Sequence, residues 1–122
     1  MIIANILVAL VAALHFYFLV LEMFLWTKPK GLRVFAQSLE KAQSTAVLAA
    51  NQGLYNGFLA AGLVWGLTHS VPEFAFQIKL FFLGCIIIAG MYGGYSFSKR
   101  ILYVQAIPAA IAALLLMLAF RI

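Results

Sequence analysis

Two side chains able to exchange protons lie within one strongly apolar stretch, "LVALVAALHFYFLVLEMFLW". His15 and Glu22 are seven positions apart, so on a helix they share one stripe, which continues to Trp26. Ionisable groups inside a membrane span are rare and usually functional. We therefore predict His15 and Glu22 as acid–base candidates. The alternatives are that Glu22 lies shallow enough to reach headgroup water, and that His15 is a neutral histidine bonded to a backbone carbonyl.

A second polar group occurs in "AANQGLYNGFLAAGL", where four polar side chains fall within six positions. They span an arc of about 140° at 100° per residue. We call this the polar arc, and it consists of Asn51, Gln52, Tyr55 and Asn56. Such side chains can orient a ligand, or they can simply hold helices together through bonds worth below ~1 kcal/mol. We interpret the arc as ligand-binding, and the full predicted set is Asn51, Gln52, Tyr55, Asn56, Tyr92 and Gln105.

The sequence carries no pattern of a metal or cofactor enzyme. His15 and Glu22 are too few for a metal site, and Cys85, the single cysteine, adds little. There is no nucleophile elbow, phosphate loop, zinc spacing or dinucleotide fingerprint. We therefore predict no metal and no cofactor, and whether the chain is an enzyme stays open.

The composition determines which elements must position these residues. The chain has 122 residues, of which 66% are hydrophobic and 9% charged, whereas soluble domains have about 25% charged residues. A chain this small cannot hide so much apolar surface from water. Four apolar runs approach the ~20 residues that cross a bilayer, and their backbones must be helical. We predict one all-α domain, 1–122, an integral membrane four-helix bundle with spans of about 2–26, 45–68, 74–97 and 101–120.

The basic residues indicate the orientation. The first and third connections between spans hold six of them, against two on the other side. These residues are Lys28, Lys30, Arg33, Lys41, Lys99 and Arg100, against Lys79 and Arg121. The positive-inside rule places the six in the cytoplasm and both termini outside. Because the basic residues lie at helix ends, the net charge of +5 does not indicate a nucleic-acid partner.

The first connection also contains helical spacing, at Leu32, Phe35 and Leu39. This predicts a short amphipathic helix on the cytoplasmic surface. The same spacing is compatible with a second helix that begins early and projects from the membrane.

With this orientation, polar residues from all four spans gather in the cytoplasmic half of the bilayer. At ~1.5 Å per residue, His15 and Asn56 lie near the midplane and Glu22 lies about 12 Å to its cytoplasmic side. The outer half holds little beyond Asn5, Thr68 and His69. This distribution predicts one polar pocket on the cytoplasmic side.

Small residues and a proline predict how the helices pack. Glycines four residues apart let another backbone approach closely, and they recur on the second and third spans. The pairs are Gly53 with Gly57, Gly62 with Gly66, and Gly90 with Gly94. Pro108 predicts a kink in the fourth span and a freed carbonyl near Val104.

The stretches "HFYFLVLEMFLW", "NQGLYNGFLAAGL", "CIIIAGMYGGYS" and "VQAIPAAIAAL" together resemble a family. It comprises the small bacterial four-helix membrane proteins of domain-of-unknown-function family 1304. The resemblance covers essentially the whole chain, and it implies a multi-pass protein of the bacterial cytoplasmic (inner) membrane.

A more distant resemblance is to the membrane-associated eicosanoid and glutathione metabolism proteins. These are four-helix chains, typically trimers, with a cytoplasm-facing site between subunits. Asn51 matches an Asn of their second helix, while Val47 and Leu54 stand where that family has charged residues. The stretch "YGGYSFSKRILY" is similar to the tyrosines and arginine of their third-to-fourth helix region.

Three functions remain open from the sequence. The first is a polar pocket that binds a small or amphiphilic ligand. The second is a small proton-coupled transporter acting as a homo-oligomer, and the third is a structural or assembly protein. The expected partners are the lipid bilayer, an amphiphilic small molecule and further copies of the chain in a dimer or trimer.

Overall fold

The computed structural model describes residues 1–121, which are all-α and contain no β-strand. This confirms the all-α part of the predicted fold class. The helices are α1 (Ile2–Met23), α2 (Pro29–Val34), α3 (Leu39–Thr68), α4 (Pro72–Ser96), α5 (Lys99–Ile101), a π-helix (Leu102–Ala106) and α6 (Ile107–Arg121).

Three helical segments are long and apolar enough to cross a membrane. They are Ile2–Met23, Pro72–Ser96 and the continuous segment Lys99–Arg121. The longest helix, α3, has 30 residues but is not among them. Its hydropathy is lowered by the amides Asn51, Gln52 and Asn56. The chain therefore has the apolar helices of a multi-pass membrane protein.

The first connection forms a short helix and also the early start of α3. The short helix α2 begins with Pro29 at its first position, where a missing N–H costs little. Ala36 then adopts a positive φ of 50° and interrupts the helical backbone. The Ser38 hydroxyl accepts a hydrogen bond from the Lys41 N–H at 3.2 Å and so caps α3. The helix therefore begins at Leu39, six residues before the predicted start of the second span at about 45. The segment therefore contains a short helix, as the first interpretation predicts, and α3 also begins early, as the second predicts.

Pro108 is accommodated by a π-helix. The Ile107 N–H donates to the Leu102 carbonyl, a bond that spans five residues and widens the turn. Since Pro108 has no N–H, the Val104 carbonyl lacks its usual helical donor, as the sequence predicts. Gln105 lies within this widened turn.

The chain packs as two compact units. One, the 13–60 unit, is Ala13–Ala60. The other, the terminal unit, consists of Met1–Ala12 and the chain from Ala61 onward. The division falls within α1 and within α3.

Glycines bring helices together inside each unit, which confirms their predicted packing role. In the 13–60 unit, a Cβ added at Gly53 would lie 3.2 Å from the Leu19 carbonyl oxygen of α1. In the terminal unit, a Cβ at Gly90 of α4 would lie 2.7 Å from the backbone nitrogen of Ala106. Any larger residue would force these backbones apart.

Candidate functional site

A hydrogen bond between α1 and α3 joins two of the predicted site residues. The Asn56 side-chain amide Nδ2 donates to Glu22 Oε1 at 2.5 Å. Gly53, three residues before Asn56, makes this approach possible, because a Cβ there would lie 3.1 Å from the Glu22 Cβ. The 13–60 unit therefore holds a carboxyl group against an amide at a point where the two helices pack closely.

The two partners differ in burial. Asn56 is 8% exposed, whereas Glu22 is half-buried. A hydrogen bond to a carboxylate is among the stronger ones, and it fixes the orientation of the carboxyl plane. The bond is made to Oε1 of the carboxyl group.

The polar arc is divided by the structure. Asn51, Gln52 and Tyr55 are exposed on the surface of the chain, while Asn56 turns inward. Asn56 is at the edge of the arc, only ~60° around the helix from Gly53 at 100° per residue. The glycine face and the polar face therefore meet at Asn56, which contacts α1 through its side-chain hydrogen bond to Glu22.

His15 is fully buried, and its ring meets Phe18 edge-on at 5.5 Å between centroids. A ligand at the surface of the chain cannot reach it. This placement fits the interpretation of His15 as a structural histidine better than its acid–base role.

Tyr92 and Gln105 belong to the terminal unit, in α4 and in the π-helix. Tyr92 is 71% exposed, and Gln105 is half-buried. Glu22 and Asn56 are two members of the predicted set that the structure brings together in a side-chain hydrogen bond.

Trp26 contacts both the connection between α1 and α3 and the start of α3, next to this pair. Its indole Nε1 donates to Thr45 Oγ1 at 3.1 Å, and its ring packs on Phe35 at 4.8 Å between centroids. Trp26 therefore joins the segment after α1 to the first turns of α3, four residues beyond Glu22.

The sequence analysis missed a second buried polar pair. Lys79 Nζ donates to Asn5 Oδ1 at 2.7 Å within the terminal unit, and Lys79 is 4% exposed. Gly66 lets α3 pack on the lysine stem, because a Cβ there would lie 2.5 Å from Lys79 Cγ. Lys79 was treated as a charge near a helix end. Its pairing with Asn5 was not predicted.

A signal for this pair was present in the sequence. Lys79 lies about 10 Å beyond Pro72 along α4, too deep for a simple flanking charge. An ammonium buried in an apolar segment needs an acceptor, and Asn5 was an amide within an apolar run that had no assigned role. Combining these two facts would have suggested the pairing.

Comparisons with known proteins find a matching family model and a related protein. A family model described as "Protein of unknown function (DUF1304)" matches residues 9–117. The uncharacterised protein YpaA of Lactococcus lactis subsp. lactis (strain IL1403) is 32% identical over 108 residues, which cover 86% of this chain and 89% of that protein. No solved structure matches the chain. Glu22, Asn56 and Lys79 all lie within the matched range.

Proposed function

The chain belongs to the DUF1304 family, and from this premise we propose that it is a four-span protein of the bacterial cytoplasmic membrane that binds a small or amphiphilic ligand. The membership confirms the resemblance seen in the sequence. The bacterial relative fits a bacterial origin. In this proposal both termini face outward, and the site lies in the cytoplasmic half of the bilayer.

The packing of α3 supports its role as the fourth span. At ~1.5 Å per residue its 30 residues extend about 45 Å, more than the bilayer core. In the 13–60 unit α3 packs on α1 through Gly53, and in the terminal unit it packs on α4 through Gly62 and Gly66. Both partners are among the apolar spans. A helix that pairs with membrane helices in this way shares their environment.

The hydrogen bond between Glu22 and Asn56 carries the ligand proposal. It orients a half-buried carboxyl group, and in this proposal Oε2 accepts from an amine or hydroxyl of a ligand. Asn51, Gln52 and Tyr55 are exposed on the same helix as Asn56. Amides that face acyl chains are costly, so a polar ligand group or a second protein surface would cover them.

A homo-oligomer, a dimer or a trimer, is part of this proposal. One four-helix chain encloses little space, and neighbouring copies would complete the walls around the exposed amides. The distant resemblance to the eicosanoid and glutathione metabolism proteins, whose sites lie between subunits, points in the same direction.

Carbodiimide labelling tests access to the carboxyl group. Dicyclohexylcarbodiimide enters membranes and converts a reachable carboxylic acid to a stable N-acylurea. The chain offers three acidic residues, Glu22, Glu40 and Glu73. We expect peptide mass spectrometry to find the adduct on Glu22, and the variant Glu22→Gln to lack it. Amphiphiles that slow the reaction would then identify the chemical class of the ligand.

An unmodified Glu22 would contradict the proposal and favour the assembly protein. In that case the carboxyl group is enclosed by packed protein in the membrane. The exposed residues Glu40 and Glu73 serve as internal controls when a water-soluble carbodiimide is used instead.

The pair of Lys79 and Asn5 favours a second candidate function, proton-coupled transport. A transporter needs ionisable groups at more than one depth. Glu22 lies near the C-terminal end of α1, and Asn5, which holds Lys79, lies near its N-terminal end. Proton flux into proteoliposomes with an internal pH dye tests this. Transport predicts a flux that Glu22→Gln and Lys79→Met each abolish, whereas a binding protein gives no flux.

A further inference from the structure

The segment after α1 carries concentrated positive charge. Lys28, Lys30 and Arg33 are all exposed, and residues 23–39 contain no Asp or Glu. Exposed cations at this density attract anions from outside the chain. Basic clusters next to a membrane span are the usual sites where anionic lipid headgroups bind.

The segment is held in place against the end of α1. Gly31 packs so closely that an added Cβ would lie 1.9 Å from the Leu25 carbonyl oxygen. Phe35, just after α2, packs on Trp26 at 4.8 Å between ring centroids. The basic residues of α2 therefore have fixed positions next to the span.

Lys30 points back along α1 toward the apolar region. Its Nζ lies 5.7 Å from the centroid of the Tyr17 ring. Tyr17 is 39% exposed and lies about 9 Å before the end of α1 at Met23, at 1.5 Å per residue. The aromatic face therefore holds the Lys30 ammonium beside the last turns of α1.

We propose that Tyr17, Lys30 and Arg33 form a binding site for the phosphate group of an anionic phospholipid of the phosphatidylglycerol type. Lys30 and Arg33 are three residues apart in α2, so their side chains leave from one face. The ammonium and the guanidinium donate to the phosphate oxygens. The acyl chains lie along α1, where Phe16 and Phe24 are exposed. This site is independent of any ligand at Glu22.

Native mass spectrometry of the full chain in detergent tests this site, with dioleoylphosphatidylglycerol and dioleoylphosphatidylcholine as the two probes. We expect the wild type to retain phosphatidylglycerol in preference to phosphatidylcholine. The double variant Lys30→Gln with Arg33→Gln should weaken phosphatidylglycerol binding about 30-fold, the factor for two basic residues at ~1 kcal/mol each. Both side chains are exposed, so the fold should survive.

A second double variant removes the same charge elsewhere. Lys41→Gln with Lys99→Gln changes two exposed basic residues outside the proposed site, and we expect less than about a 3-fold effect. Equal weakening by the two double variants would overturn the proposal, because the attraction would then come from net charge alone.

Two further experiments test the role of Tyr17 and distinguish a lipid site from a site for a soluble phosphate. Tyr17→Leu removes the aromatic face and should weaken phosphatidylglycerol binding about 2- to 5-fold. Glycerol phosphate, which has no acyl chains, should not displace the lipid at equal concentration. Displacement by glycerol phosphate would show a site for a soluble phosphate and would overturn the lipid assignment.

Discussion

Glu22 and Asn56 illustrate how a polar pair can be built between two membrane helices. The amide is almost fully buried, the carboxyl group is half-buried, and a glycine one turn away allows their contact. The bond contributes to helix packing and orients the group that the proposed ligand would meet. These two roles make different predictions for the same side chains.

A double-mutant cycle measures the packing role. Glu22→Ala and Asn56→Ala should each destabilise the protein, and their coupling should be about 0.6 to 1.7 kcal/mol, the range from the average to the maximum found in double-mutant cycles between membrane helices. Reversible unfolding in mixed micelles gives the free energies. The control cycle pairs Glu22→Ala with Asn51→Ala, an exposed amide, and should be additive within about 0.5 kcal/mol. Additivity in the first cycle would contradict the observed bond.

Lys79 and Asn5 should respond asymmetrically to substitution. Asn5→Leu leaves a buried ammonium without its acceptor and should lower the free energy of unfolding by about 1 to 3 kcal/mol. Adding Lys79→Met removes the unpaired charge and should restore most of that loss. If the double variant is less stable than Asn5→Leu alone, Lys79 is stabilised by something other than Asn5.

The residue types alone drew attention to polar side chains within apolar runs, but they did not predict which of these side chains form hydrogen bonds with one another. Glu22 and Asn56 were both singled out, because polar groups in an apolar run are conspicuous. Their bond depends on the rotation of α1 against α3, which the spacing within one helix does not determine. Lys79 was missed for the same reason, since its acceptor is 74 positions away.

At the scale of elements, close packing of α4 on the π-helix depends on a glycine. A Cβ at Gly90 would lie 2.7 Å from the Ala106 nitrogen, whereas a Cβ at Gly84 on the same helix meets nothing within 4 Å. The two glycines therefore form a matched pair for one substitution. A substitution at Gly90 tests packing, and the same substitution at Gly84 tests helix propensity alone.

Gly90→Ala should cost about 1 to 3 kcal/mol, because a backbone and not a flexible side chain must move. Gly84→Ala should be neutral or stabilise by up to about 1 kcal/mol through helix propensity. Unfolding measured side by side checks both. Equal effects of the two substitutions would mean that α4 does not approach the π-helix as closely as described.

The apolar runs predicted where helices lie, and the departures have local causes. α3 begins at Leu39 because Ser38 caps it, a short-range signal that the search for apolar runs passed over. The π-helix reflects the missing N–H of Pro108. Pro108 predicted a kink there, but its position did not determine whether the helix would bend or widen.

At the scale of the whole molecule, the proposed orientation rests on the asymmetry of basic residues. Ser38 lies in the first connection and Ser70 in the turn between α3 and α4, and both are exposed. In a Cys85→Ser background, Ser38→Cys should react with an impermeant thiol reagent in inverted vesicles, and Ser70→Cys in spheroplasts. Reaction of both from one side would remove α3 from the set of membrane spans.

The most direct test of the central claim compares two neighbouring positions of α3. Gln52 belongs to the polar arc, and Leu54 is 42% exposed on an apolar surface about 3 Å further along the helix. In the Cys85→Ser background, Gln52→Cys should react with an impermeant thiol reagent from the cytoplasmic side, while Leu54→Cys should stay unmodified in lipid. If Gln52→Cys is as unreactive as Leu54→Cys, or reacts only from outside, no polar site opens toward the cytoplasm.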